Sequence, residues 1–409
     1  MHATPAEPTS PPGAAFGTIA AIRATPVNVP LEAPYRWSVG AWTGISRTIV
    51  EVVTSEGVVG IGEAPSHRAA VLIDAVVTPR LLGADAGDVA ECERRAVPPI
   101  TVLANAEDSA IVHAWGGIEM ALWDLIGKTL GVSLATLLGG RVRDEVGFTE
   151  YFATRFERDG HGGETTPAEV AAYCARMADE HGSTFFEGKV GAFDLVHDVR
   201  LVREVRAAIG EDARLRLDAN KRWDLITARR ALRLLERYDI ASIEDPTRTL
   251  TEMARLRETS SIAFSTHDAD LAHVARAGVP DAFVINLSVL GGLRRTLAFV
   301  HACEELGVAV WFHSPDTGVM NAAYLQVAAA VEALEHPSQT LLRWHTDDVI
   351  VGGPFRPERN RLAVPDGPGL GVELDPDALA RCHRRFRDEG PYPVYEDPAE
   401  PGRYTRLRR

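Results

Sequence analysis

Leu215-Arg216-Leu217-Asp218-Ala219-Asn220 alternates apolar with polar side chains, the two-residue period of a β-strand. Leu215 and Leu217 fall on one face; Arg216, Asp218 and Asn220 fall on the other. A second run, Ile240-Ala241-Ser242-Ile243-Glu244-Asp245-Pro246, ends the same way. The two acids are 244 − 218 = 26 residues apart, about one strand–helix unit. Parallel strands would bring both carboxylates to one C-terminal rim, where hard oxygen donors suit a divalent ion such as magnesium. Taken singly, each run fits an acidic turn equally well, because Asp is common where strands end. The rest of the chain has to decide.

Outward from that run, apolar strand candidates recur at 148–152, 184–189, 213–218, 240–244, 261–267, 282–286, 308–313 and 340–345, with helical stretches between. Eight such strands predict a parallel (β/α) barrel rather than an open sheet. The alternative, a doubly wound sheet, finds no glycine-rich nucleotide fingerprint. Parity supports the barrel. If Asp218 faces the lumen, Leu215 and Leu217 face the helices. The same alternation turns Lys189 with Glu187, Glu244, His267, Asn286 and His313 inward. It leaves Phe186, Ile243, Phe264, Ile285 and Phe312 outside. Polar residues of one parity at successive strand ends are where barrel enzymes keep their chemistry.

Before the barrel, residues 18–29, 46–54 and 58–63 predict a small antiparallel meander. Residues 30–44, with Tyr35, Trp37 and Trp42, predict a mobile loop between its strands. Residues 113–130 predict a helix with Ile118, Ala121, Leu122 and Leu125 on one side, stopped by Gly131. Asp124 and Lys128, four apart on it, predict a solvated ion pair. The expected domains are a disordered leader (1–15), an α+β capping domain (16–144), the barrel (145–350) and a Gly/Pro-rich C-terminal segment (351–409). That last segment is expected to pack back on the capping domain and to end in a basic, solvated stretch (403–409). Of 409 residues, 45% are hydrophobic and 24% charged, an ordinary globular composition. The net charge of −14 argues against nucleic acid and anionic membranes as partners. Four isolated cysteines without a CxxC pair argue against zinc or disulfides. With no spanning apolar run and no signal peptide, a cytoplasmic protein is expected.

The ordered set of Lys189, Asp218 with Asn220, Glu244-Asp245-Pro246 and His313 resembles the mandelate racemase and muconate-lactonising branch of the enolase superfamily. Gly60-Ile61-Gly62-Glu63, the run from Ala121 to Lys128, and Gly291-Gly292 fit the same pattern. The resemblance covers roughly residues 18–380. It implies a (β/α)7β barrel, with an N-terminal α+β capping domain completed by the C-terminal tail. It also implies Mg2+, with Mn2+ as a substitute, and removal of a proton next to a carboxylate. By the same resemblance Asp218 and Glu244 hold the metal, with either His267 or Asp268 as third ligand. The 264–267 run resembles the strand end of glucarate dehydratases, which carry Asn at the position of His267.

Lys189 is then the base and His313 the opposing acid, oriented by Asn286, while Asn220, Tyr151, Trp37 and Trp42 contact substrate. Lys189 matches the second lysine of the family's Lys-x-Lys strand end, and Glu187 stands where the first would be. It would raise rather than lower the pKa of Lys189 unless Arg216 pairs with it. Asn286 stands where an Asp is usual and cannot stabilise an imidazolium as a carboxylate does. Plainer readings stand beside these: Lys189 as a rim charge, His313 as a hydrogen-bonding residue, Trp37 and Trp42 as loop packing, Trp223 and Trp311 as core. The expected function is a metal-dependent acid-sugar dehydratase acting on a small-molecule aldonate or aldarate, in a homo-oligomer. The alternatives are a racemase or epimerase, and an inactive homologue that only binds a sugar acid.

Overall fold

A computed structural model describes residues 15–98, 106–397, 402 and 404. The expected leader and the basic terminal stretch fall almost wholly outside those residues. Strands β1 (Ile19–Trp37), β2 (Gly40–Thr54) and β3 (Val59–Ala64) form an antiparallel sheet in the order β1-β2-β3. A minor antiparallel pair joins β4 (Glu145–Gly147) to β13 (Arg361–Ala363). The barrel strands are β5 (Glu150–Phe152), β6 (Phe185–Lys189), β7 (Arg214–Asp218), β8 (Ser242–Glu244), β9 (Ala263–Thr266), β10 (Ala282–Ile285), β11 (Ala309–Ser314) and β12 (Gln339–Thr340). They run in sequence order, all parallel. A parallel bridge between Phe148 and Ser338 brings the ends of the sheet together.

The parity argument holds strand by strand. Lys189 pairs with Asp218, Asp218 with Glu244 and Glu244 with Ser265, so these side chains form one row at the rim. Phe186, Leu215, Leu217, Ile243, Phe264, Phe283 and Phe312 are buried in the helix layer. Trp311 points inward with Ala282 and Val284, and the Arg216 guanidinium lies over its ring at 3.7 Å; it is core, as its plainer reading had it.

The last strand is shorter than expected. It ends at Thr340, and Leu342–Trp344 turn into a 3-10 helix. The stretch 30–44 is not a loop. Pairings Tyr35↔Trp42, Arg36↔Ala41 and Trp37↔Gly40 carry β1 and β2 on into a long hairpin. β-branched and aromatic residues suit such a ribbon, and its tip stands over the barrel.

The helix Ala106–Leu130 buries Trp115, Ile118, Ala121, Leu122 and Leu125 completely. Each large apolar side chain there contributes about 1.5–3 kcal/mol by leaving water. Gly60 and Gly62 let β3 lie directly on this helix, since a Cβ at either would strike the Ala121 or Gly117 carbonyl. Asp124 is fully buried, so its pair with Lys128 at 2.9 Å is no solvated pair. Asp124 accepts from the Ile61 and Leu370 amides, tying the helix to β3 and to the C-terminal segment. The helix Pro376–Glu389 returns to β1: Arg385 donates to the Asn28 carbonyl at 3.1 Å, and Asn28 donates to the Gly390 carbonyl at 2.8 Å. Among the described residues, no helix is long and apolar enough to cross a membrane.

Candidate active site

The rim row is highly charged and buried. The Lys189 ammonium bonds the Asp218 carboxylate, and both are sequestered. Burial alone would lower the lysine's pKa, but Asp218 outweighs it and holds Lys189 above the ordinary lysine value. Asn220 sits in the left-handed region at φ 45° and donates to Asp218 through both its backbone (2.8 Å) and its side chain (2.9 Å). Asn220 therefore positions Asp218 rather than facing substrate with its amide nitrogen.

Glu244 receives the Gln339 side chain, which also reaches Glu187. The His267 Nε2 comes within 2.9 Å of Glu244 Oε1, while its Nδ1 meets the Val284 carbonyl at 2.9 Å. Burial would lower the His267 pKa, but the Glu244 carboxylate outweighs it and holds the ring above its ordinary value. The same pairing outweighs burial at Glu244 and holds that carboxyl down at about 2. Across the mouth, His313 lies edge-on to His267 with ring centroids 5.0 Å apart. Burial, then the neighbouring His267 cation, keep His313 neutral, well below the usual imidazole pKa.

Asp268 is not at the site. It pairs with Lys221 at 2.6 Å on the outer rim, because adjacent residues of an extended chain face opposite ways. Asn286 is not the partner of His313. Its oxygen caps the short helix Leu287–Leu290 by accepting from Ser288 and Val289, and its nitrogen donates to Asp316 at 3.0 Å. Trp37 donates its indole N–H to the Val394 carbonyl and packs edge-on to Trp42 at 6.4 Å. Trp42 stacks on Tyr35, with ring centroids 6.3 Å apart. Tyr151 lies beside the row, with Lys189 Nζ 5.8 Å from its ring centre. Glu187 finds the counter-ion the sequence required of it, with Arg216 at 3.7 Å.

Three features go beyond the sequence reading, which had Tyr35 only as part of a mobile loop expected to close over the substrate. Tyr35 from the capping hairpin packs against Tyr151 at 6.0 Å and Trp344 at 5.4 Å, and its hydroxyl feels the charges of Lys189 and Asp218. Gln339 bridges two buried acids; its register opposite His313 could have shown it. Arg47 of β2 bonds Asp316 at 2.6 Å, and Glu63 accepts from Thr317 Oγ1 at 2.7 Å, fastening the capping domain beside β11.

Among the described residues, no three acidic, imidazole or thiol side chains lie ready to hold an ion, because Lys189 and His267 already occupy the carboxylates. The donor set nevertheless fits a divalent cation. Asn220 Oδ1, beside Asp218, is buried without a partner. Two carboxylates on adjacent strands supply hard oxygens, and His267 supplies a nitrogen that magnesium binds less readily.

Two family profiles match the chain. "Mandelate racemase / muconate lactonizing enzyme, N-terminal domain" covers residues 19–139, and "Enolase C-terminal domain-like" covers residues 169–378. A probable glucarate dehydratase of Streptomyces coelicolor is 29% identical, with 91% of this chain and 92% of that protein aligned. Muconate cycloisomerase 1-1 of Acinetobacter lwoffii is 27% identical, over 91% and 97%. An enolase of Thermobispora bispora complexed with magnesium and formate superposes with TM-score 0.84 at 28% identity, covering 92% of this chain and 95% of that one. One from Pseudomonas fluorescens with bound magnesium, potassium and tartrate gives 0.83 at 26%, over 91% and 93%. Its relatives are dehydratases and cycloisomerases, and with both domains matched the chain belongs to the enolase superfamily, in the mandelate racemase/muconate-lactonising enzyme branch.

Proposed function

We propose that this chain is a divalent-metal-dependent dehydratase of an acid sugar, taking the proton next to a carboxylate and expelling the β-hydroxyl. The observation that carries it is the row Lys189–Asp218–Glu244 with His313 facing it across the mouth. The kinship to a probable glucarate dehydratase supports the substrate class. Asp218 and Glu244 would hold the cation, with His267 as nitrogen donor; bound there, magnesium supplies charge stabilisation for the enediolate.

When Asp218 is committed to a cation, Lys189 loses its counter-ion, and burial then favours its neutral, proton-accepting form. His313 would donate to the departing hydroxyl on the other side once it has taken up a proton, which loss of the neighbouring His267 charge on binding a cation would favour, and the enol product relaxes to a 2-keto-3-deoxy acid. Tyr35 and Trp42 exclude water from above. Incubation with Mg2+ and a panel of aldonic and aldaric acids should yield 2-keto-3-deoxy product from at least one. No turnover across the panel, with metal bound, rejects the proposal.

One observation favours a second reading. Lys189 is charged and His313 is neutral, an acid and a base on opposed sides, which is what an epimerase needs. Deuterium uptake at the α-carbon without loss of water would select it.

A further inference from the structure

We propose that residues 391–397 of the C-terminal segment are a positioning strap that fixes the capping hairpin as a rigid wall of the substrate site. This rests on reading the barrel mouth as that site. The hairpin tip is covered on both edges. On one edge Arg36 N donates to the Thr154 carbonyl at 2.8 Å, and Phe156 N donates to the Pro34 carbonyl at 2.8 Å. These bonds tie β1 to the chain leaving β5. On the other edge Ala41 N donates to the Glu396 carbonyl at 3.1 Å. An exposed ribbon edge is thus converted into a paired one.

The side chains repeat the arrangement. Arg36 makes a two-pronged bond to Asp397 at 2.9 and 3.1 Å, three-quarters or more sequestered from water. Such paired N–H···O contacts fix direction as well as distance. The Trp37 indole donates to the Val394 carbonyl at 2.6 Å, and its ring lies 5.6 Å from that of Tyr395. Further down, Tyr392 N donates to Ser46 Oγ at 2.9 Å. Two glycines record the same contact: a Cβ at Gly40 would lie 2.6 Å from the Val394 carbonyl oxygen, and one at Gly44 would overlap the Tyr392 ring. At these two positions the hairpin carries no side chain where the strap passes.

Tyr35 directly precedes Arg36 and shares a face with Trp37, so the strap holds the stretch of backbone from which Tyr35 projects. With Arg36 and Trp37 held by the strap, Tyr35 is directed into the mouth against Tyr151 and Trp344, with Trp42 stacked behind it. The strap therefore acts on substrate fit through Tyr35 and touches none of Lys189, Asp218, Glu244 or His313.

The test is hydrogen–deuterium exchange of three proteins: the full chain, a chain ending at Gly390, and the Gly40→Ala variant. Peptides across 35–44 should exchange at least about ten-fold faster in the truncated chain and in Gly40→Ala, with the β7 peptide unchanged in Gly40→Ala. KM for the acid-sugar substrate should rise about ten-fold in Gly40→Ala, while the Mg2+-induced thermal shift stays that of the full chain. If the truncated chain fails to fold, Gly40→Ala decides alone. Unchanged exchange at 35–44 overturns the strap; faster exchange with unaltered KM overturns its link to substrate. Absence of turnover by the unmodified chain would defeat the dehydratase reading and leave the exchange comparison intact.

Discussion

Replacing Lys189 by Met should tighten magnesium binding while abolishing catalysis. Lys189 bonds the carboxylate that a cation would use, and both groups are buried. Unit charges about 4 Å apart attract by about 4 kcal/mol at an effective dielectric constant near 20. Magnesium that takes Asp218 must forgo part of that attraction and then face the displaced ammonium. A coupling of about 1–3 kcal/mol between the two cations corresponds to a change of about 5–150-fold in Kd. The Met variant also leaves Asp218 buried without its counter-ion, at a cost of about 3–5 kcal/mol to stability, softened by the two bonds from Asn220. So the metal-free variant should melt lower than the parent and gain more from Mg2+. Calorimetric titration reads the affinity, and melting against metal concentration reads the linkage. Turnover should fall by at least about 10²–10⁴-fold, the usual worth of a positioned base. Equal or weaker Mg2+ binding by Lys189→Met would refute the competition between lysine and cation.

Glu244→Gln should erase the magnesium-induced thermal shift, while Asp268→Asn should leave it within about two-fold, since Asp268 is occupied with Lys221. Gly62→Ala should cost about 1–3 kcal/mol by overpacking β3 against the Gly117 carbonyl, read as a lowered melting temperature with the fold retained. Glu119, buried against the helix start at Leu293 and Arg294, has its carboxyl pushed by burial from about 4.5 to about 7. The folded state holds that proton more tightly than the unfolded chain, so its contribution is complete below about 4.5 and is lost as pH rises through about 7. Glu119→Gln should flatten that part of the stability profile measured between pH 4.5 and 8.

What was legible came from period and register. A strict two-residue alternation at the ends of β6 to β11 told which side chains enter the lumen, and neighbouring pairs such as Lys189↔Asp218 and Asp218↔Glu244 followed from parallel order. Asp268, the alternative to His267 as third ligand, is one residue out of phase with it, and its carboxylate pairs with Lys221. Asn286 carried its own signal too. An Asn directly before a short helix is a favoured N-cap, and its oxygen is spent there. The hairpin was hidden for a different reason. Its partners, Thr154, Trp344 and Glu396, come from three distant parts of the chain, and no local pattern around Tyr35 names them.

The exchange of a family lysine for Glu187 has a consequence that only the packed barrel reveals. Two lysines close together would depress each other's proton affinity. Here Glu187 lies in the lumen beneath Lys189, but it is not a free anion. Burial pushes its carboxyl up to about 7, Arg216 partly restrains that rise, and Thr149 and Gln339 take its oxygens. The Glu187–Arg216 pair is close to neutral as a unit, so it neither depresses nor strongly raises the proton affinity of Lys189. That leaves Asp218 as the main charge acting on the lysine. On the proposed function, a barrel built this way would tie its base to its metal site: the carboxylate that keeps Lys189 protonated is the one a cation would claim. Loading and activation would then be one event, with no lysine pair needed to generate the base. If this is right, the Lys189 proton affinity should fall on Mg2+ binding in the Glu187→Gln variant as it does in the parent. The pH dependence of Lys189 modification by an amine-selective reagent, with and without Mg2+, measures it. Loss of that metal effect in Glu187→Gln would show that Glu187, and not Asp218, governs the base.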